Sequence, residues 1–228
     1  MLTETTTKSI VENRDCMAAM VEFPDKFFDL AVVDPPYGIG VESWDFTKPD
    51  RPVLTERIKN GYVKYKSKGW DEKKPNAEYW KQLFRVSKDQ IVWGANYFTE
   101  FLPQSRGWIY WNKGLDYEMS TNFSHGELAW ASFDKRLLSV KASPKSETKG
   151  GKNRIHPTQK PVKLYSWVYK NYLPDGGKVL DTHLGSGSNR IAADKAGNID
   201  FWGYELDKDY YEAQEKRWKD YKAQIRMF

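Results

Sequence analysis

An α/β fold, with helices on both faces of a mostly parallel seven-stranded sheet, is what this chain of 228 residues predicts. Short apolar, β-branched runs alternate with amphipathic stretches along most of its length. Two of those runs stop at turns rich in chemistry, Asp34-Pro35-Pro36-Tyr37 and Asp181-Thr182-His183-Leu184-Gly185-Ser186-Gly187-Ser188. The composition, 39% hydrophobic and 29% charged, is that of a soluble globular chain with one full core.

Ser9–Asn13 is the first expected strand, followed by Asp15-Cys16 and an apolar, helix-like run. Phe28–Val33 is the second, and its nearly continuous apolar character predicts burial on both faces. Asn76–Val86 has helical periodicity, and Gln90–Trp93, Trp108–Trp111 and Glu127–Phe133 read as strands. Pro161–Leu173 opens with a proline, which a first helical turn tolerates. Lys178–Leu180 and Phe201–Tyr204 are the last strands, and Ser188–Ala196 and Asp209–Gln224 the last helices. Two segments break the alternation. Gly38–Lys74 is polar and punctuated by Pro49, Pro52 and Gly61, and is expected to be a long mobile loop. Ser139–Asn153, rich in Lys, Ser and Gly, is also expected to be loop. No internal repeat or linker divides the chain, so one domain over residues 1–228 is expected.

At the end of the second strand, neither proline can donate to a sheet ladder, so the strand must stop. What remains is the Asp34 carboxylate, a rigid turn with free carbonyls and the Tyr37 ring, at the sheet edge where α/β proteins bind ligands. That set suits a planar heterocycle carrying an amino group. The second turn follows a strand and opens a helix, so its glycines allow close approach to backbone N–H groups. Glu205 lies twenty residues after Gly185, at the end of the next strand, where an acid can take both hydroxyls of a ribose. A P-loop pattern is absent, and Arg190 stands where a dinucleotide fold prefers glycine. Asp181 would repel a pyrophosphate but suits an ammonium or sulfonium, both of which S-adenosylmethionine carries.

Composition narrows the rest. The longest apolar runs fall far short of the ~20 residues of a membrane span. The polar, Thr-rich start lacks a secretory h-region. A single cysteine, Cys16, rules out internal disulfides and fits a reducing cytoplasm. Three histidines without paired spacing argue against a structural metal. The net charge of +5 permits a polyanionic partner. Seven bases against two acids stand between Asp134 and Arg154, and nine against four between Lys48 and Lys74, with Tyr62, Tyr65 and Trp70 interleaved. Bases neutralise phosphates and aromatics stack on exposed bases.

Together these motifs resemble the DNA amino-methyltransferases of the beta arrangement, small phage-type members in particular. The Asp34–Tyr37 element precedes the glycine turn, as in that family, and His156-Pro157-Thr158-Gln159-Lys160-Pro161 lies between them. The tracts Trp93–Phe98, Trp108–Lys113 and Glu127–Trp130 are similar too. The resemblance implies a circularly permuted, Rossmann-like methyltransferase fold, with Ser9–Asn13 filling the sheet position beyond the Glu205 strand. The strands bearing Asp34 and Asp181 then lie side by side. It also implies a small target-recognition region around Lys113–Arg154, double-stranded DNA as partner and the cytoplasm of a prokaryotic or phage-infected cell; related enzymes often pair, so a homodimer is one open state.

By the same resemblance, Asp34, Pro35, Pro36 and Tyr37 are catalytic. Cofactor contacts fall on Asp15, Cys16, Asp34, Lys160, Asp181, His183, Leu184, Gly185, Ser186, Gly187, Ser188 and Glu205, with Asp15 holding the adenine amino group. Solvation at a helix start is an equally good reading of Lys160. Where the family usually shows Asp-Pro-Phe, this chain has Asp181-Thr182-His183, so His183 replaces a phenylalanine that packs on the cofactor. The implied reaction is methyl transfer to the N6 amine of a flipped adenine. The N4-cytosine branch more often has serine at the position of Asp34. That branch and a DNA-binding protein with an inert site are the alternatives. Attack through cytosine carbon 5 is excluded, because Cys16 follows Asp15 and precedes an apolar run, as a packed residue would.

Overall fold

In a computed structural model, residues 7–40, 68–114, 124–144 and 154–225 are described. One eight-stranded sheet runs through them. Its strands are β1 (Ser9–Asn13), β2 (Phe28–Val33), β3 (Ser87–Trp93), β4 (Trp108–Asn112), β5 (Gly126–Ala131), β6 (Leu138–Lys141), β7 (Gly177–Asp181) and β8 (Ile199–Glu205). The order is β1-β8-β7-β2-β3-β5-β4-β6. The β1–β8, β8–β7, β7–β2, β2–β3 and β4–β6 pairs are parallel, while β5 runs antiparallel to both β3 and β4.

The helices are α1 (Cys16–Met20), α2 (Ala77–Val86), α3 (Val162–Tyr172), α4 (Ser188–Ala196) and α5 (Lys208–Ile225). The Asp15 side chain caps α1 by accepting from Met17 N–H, and Asn76 does the same for α2 from Tyr79 N–H. Alternation along β2 divides the core. Leu30 and Val32 pack with Ile91, Trp93, α3 and α4 on one face; Ala31 and Val33 pack with Val92, Leu180, α1 and α2 on the other. Both faces of β2 are therefore dry, as its unbroken apolar sequence requires.

The eighth strand corrects the expected seven. Leu138–Lys141, whose last three residues were expected to be loop, pairs with β4 at the sheet edge. It has four residues and buries only Val140 fully, too short an alternation to stand out from its Lys- and Ser-rich surroundings. The rest of that segment from residue 145 to 153, and residues 115–123 of the expected target-recognition region, lie outside the described residues. So does 41–67 of the expected loop. Its last part, 68–74, is tied down on four sides. Lys68 pairs with Asp207 and Asp209, Trp70 packs on His156, Asp71 is 1% exposed, and Lys74 pairs with Glu100. No described helix is long and apolar enough to cross a membrane.

Candidate active site

The parallel β2–β7 pair sets the distance between the two acids. Its register places Leu30 opposite Val179 and Ala31 opposite Leu180. Asp181 thus falls beside Val32, with Asp34 two residues further along the same carboxyl edge. Asn189, in the first turn of α4, ties the strands together by donating to Asp181 Oδ2 at 2.9 Å and to the Val32 carbonyl at 3.2 Å. Its own carbonyl oxygen accepts from the Tyr169 hydroxyl. Nothing in the sequence marked Asn189 beyond its position in the glycine turn's helix.

Asp34 keeps 19% of its side chain exposed, and both its oxygens are engaged. Tyr37 Oη donates to Oδ1 at 2.7 Å and Lys160 Nζ to Oδ2 at 2.5 Å. Burial raises the Asp34 carboxyl above its ordinary range, against the pull of Lys160, and the nearby Glu127 charge raises it further. The Tyr37 ring stacks on Tyr97 with centroids 5.0 Å apart. Its edge lies against Gly94, whose φ of +66° and lack of a side chain make room for it. Asp71 Oδ1 accepts from the N–H groups of Tyr37 and Gly38, at 2.7 and 3.0 Å, and so fixes the turn that the two prolines start.

Lys160 is not solvated at a helix start, because its side chain is 3% exposed. Its ammonium sits against Asp34 and, at 3.2 Å, Glu127, within 6.0 Å of the Tyr37, Trp93 and Trp111 rings. Glu127 is held from its other side by Lys113 at 2.6 Å. Burial works to raise the Glu127 carboxyl, but the two ammonium groups outweigh it and bring it down to about 2. Sequence reasoning grouped Glu127 only with a family-like tract. An acid within a strand that otherwise turns apolar residues inward was the available signal. Asp71 had none, standing among acids and lysines of a polar stretch.

On the other side of β2, the glycine turn has φ of +52° at Gly185 and +70° at Gly187. Glu205 Oε2 accepts from Gly185 N–H at 2.8 Å and Oε1 from Asp207 N–H at 2.9 Å, which joins the two strand ends. Leu184, Ser186 and Ser188 are buried, and the two serine hydroxyls lie 3.1 Å apart. Asp181 is 3% exposed, and its two donors, Asn189 Nδ2 and His183 N–H, are neutral. Burial holds its carboxyl up at about 7. Among the described residues its hydrogen-bond donors carry no charge, and a buried carboxylate of that kind suits a ligand bearing an ammonium or sulfonium.

His183 bonds through Nδ1 to Thr182 Oγ1 at 2.9 Å and meets the Tyr79 ring edge-on. Burial lowers it to about 4, so it is a neutral packing ring. Thr182 in turn bonds the Tyr79 hydroxyl at 2.7 Å. His156 lies between Trp70 and Tyr210, and burial lowers it to about 3. Burial pushes the Cys16 thiol up to about 12, far from a nucleophile's range. Asp15 and Cys16 start α1 immediately after β1, next to the strand bearing Glu205.

Comparison with known proteins gives the family and the fold. The type II methyltransferase M.ScaI of Streptomyces caespitosus is 24% identical over 243 residues, which covers 90% of this chain and 79% of that protein. The solved complex of M1.HpyAVI with SAM matches with a TM-score of 0.56 at 16% identity, over 91% of this chain and 98% of the other. The PvuII DNA methyltransferase, described as cytosine-N4-specific, matches with a TM-score of 0.57 at 13% identity, over 92% and 87% of the two chains. The permuted methyltransferase fold expected from the motif order is therefore the observed one. The family of DNA methylases acting at N6 and N4 amines matches residues 92–216, more than half the chain, and this chain belongs to it.

Proposed function

We propose that this protein transfers a methyl group from S-adenosylmethionine to the N6 amine of an adenine flipped out of double-stranded DNA. The observation that carries the reading is the pair of acids at one sheet edge. Asp34 is a partly exposed acceptor, and Asp181 on the adjacent strand is a buried acid whose donors among the described residues are neutral.

The exocyclic amine is a poor nucleophile because its lone pair is delocalised into the ring. Asp34 and the Pro35 carbonyl would accept its two N–H groups and localise the pair on nitrogen. Asp34 then stabilises the positive charge that grows on nitrogen as the new carbon–nitrogen bond forms, until one N–H proton passes to solvent. Tyr37, backed by Tyr97, presents the ring surface for the base. Asp181 would hold the cofactor's ammonium, Glu205 its ribose and Asp15 its adenine amino group. The turn from His183 to Ser188, together with Cys16, would line the same cleft. When bound, S-adenosylmethionine supplies a methyl on a sulfonium that departs as a neutral thioether. Orientation of amine and methyl by the rigid turn supplies much of the remaining acceleration.

N4-methylation of cytosine is the second reading. It uses the same amine chemistry, and a cytosine-N4-specific enzyme shares the fold. Digestion of DNA after incubation with labelled S-adenosylmethionine, followed by mass spectrometry, separates the two. N6-methyladenine supports the proposal and N4-methylcytosine overturns the base assignment. Asp34→Ala is expected to lose transfer by at least roughly a thousandfold while cofactor Kd stays put. Retained activity in that variant would sink the mechanism.

A further inference from the structure

We propose that Glu127 is a positioning residue for Asp34, acting through Lys160: it draws the Lys160 ammonium off Asp34 Oδ2 as the target amine arrives. The inference rests on the reading above, in which Asp34 accepts that amine.

In the structure as it stands, Asp34 is poorly prepared for the task. Lys160 Nζ lies 2.5 Å from Oδ2, and the Tyr37 hydroxyl takes Oδ1. An ammonium that close withdraws acceptor strength from the carboxylate and opposes a nitrogen acquiring positive charge. Lys160 cannot retreat into water, because its side chain is 3% exposed and an unpaired buried charge is costly. Glu127 Oε2, only 3.2 Å from the same Nζ, offers a second anion inside the same pocket. The ammonium already touches both carboxylates, at 2.5 and 3.2 Å, so exchanging one for the other needs no passage through an unpaired state. The aromatic walls of Trp93 and Trp111 accommodate the cation in either position. Lys113, 2.6 Å from Glu127 Oε1, anchors Glu127, and the Lys160 ammonium on its other oxygen suffices to keep it ionised.

Two acids and two ammonium groups thus form a balanced chain, Asp34–Lys160–Glu127–Lys113, and a lone counter-ion for Lys160 would not need the last two. Among the described residues, the other groups coupled to Asp34 from adjacent elements include Asp181 on β7, Tyr37, Tyr79 on α2 and Tyr165 on α3. Burial holds the three phenols neutral. Glu127 raises the Asp34 carboxyl, and Lys113, on the far side of Glu127, carries the opposite charge.

The test is the pH profile of kcat for methyl transfer in the full-length wild type, Glu127→Gln, Glu127→Asp and Lys113→Gln. Thermal melts and cofactor Kd are measured alongside. Glu127→Gln should lower kcat roughly ten- to a hundredfold, with KM for DNA changed by less than about threefold. Its acid limb should move to lower pH, because a negative charge near Asp34 is gone. Lys113→Gln should move the limb to higher pH. Glu127→Asp should restore the wild-type limb and most of kcat. A purely structural role would lower the active fraction and leave the limb in place. Limbs that stay put, or move the same way in both variants, overturn the proposal while wild-type transfer upholds the function. Should Glu127→Gln not fold, the direction of the Lys113→Gln limb decides alone. Wild-type protein that transfers no methyl to DNA overturns the function and this inference with it.

Discussion

Gly94→Ala is the sharpest probe of how the Asp34–Tyr37 turn is held. Gly94 has a φ of +66°, which costs an alanine about 1–2 kcal/mol. A Cβ built there would lie 2.2 Å from Tyr37 Cε1 and 2.3 Å from Cζ, where ordinary contact begins at 3.4 Å. The ring must therefore retreat by about 1.2 Å. The backbone of Gly94 cannot yield in its place, because its N–H is bonded to the Leu128 carbonyl at 2.9 Å and its carbonyl to Tyr97 N–H at 2.9 Å. A displacement of that size is expected to break the 2.7 Å hydrogen bond from Tyr37 Oη to Asp34 Oδ1. Misplacement of about 1 Å in a reacting constellation costs on the order of a hundredfold in rate. The conformational term alone lowers Tm by roughly 2–8 °C for a chain of this size. Cofactor Kd should not change, because the glycine turn stands on the other side of β2. Steady-state methyl transfer, a thermal melt and cofactor titration on the same preparation check all three. A kcat within about threefold of wild type would refute the claim that the Tyr37 position is what the turn exists to hold.

Asp71→Ala leaves two backbone donors of the catalytic turn without their acceptor, a loss of about 1–3 kcal/mol for each if no water replaces it. Faster exchange of the Tyr37 amide and a lower kcat are expected, and Asp71→Asn, which keeps an oxygen acceptor, should recover most of both. Asp181 makes cofactor binding and stability depend on pH in opposite senses. Its folded carboxyl stands at about 7, above the ordinary value. The stability it confers is thus fully present below the ordinary carboxylate range and is lost as pH rises through 7. Cofactor affinity, which needs the anion, should fall as pH drops below about 7. Asp181→Asn should then raise the Tm of the free protein at pH 8 and weaken cofactor binding by roughly tenfold or more, by melting and calorimetry.

Much of the architecture was legible because its signals are local. The apolar run of β2, the prolines that end it and the glycine turn before α4 each follow from the backbone needs of a few neighbouring residues. Even the place of β1 beside β8 was expected, from the motif order that the chain shares with the family it resembles. The strand Leu138–Lys141 was missed because an edge strand buries too little to impose a pattern. Lys160 was left between a cofactor contact and a solvated helix start. Its burial depends on three aromatic rings and two acids contributed by other elements.

By itself, then, the sequence determined all the strands but one, the order of the two motifs and the chemistry that each can perform, because hydrophobic period, proline and glycine act over a few residues. Which charges share the cleft was decided only by the tertiary structure. Asp34 and Lys160 are 126 positions apart, Tyr37 and Glu127 are 90, and Asp71 reaches back 34 to the turn it holds. Electrostatic strength at those contacts depends on distance and on the exclusion of water, and both are set by packing between elements.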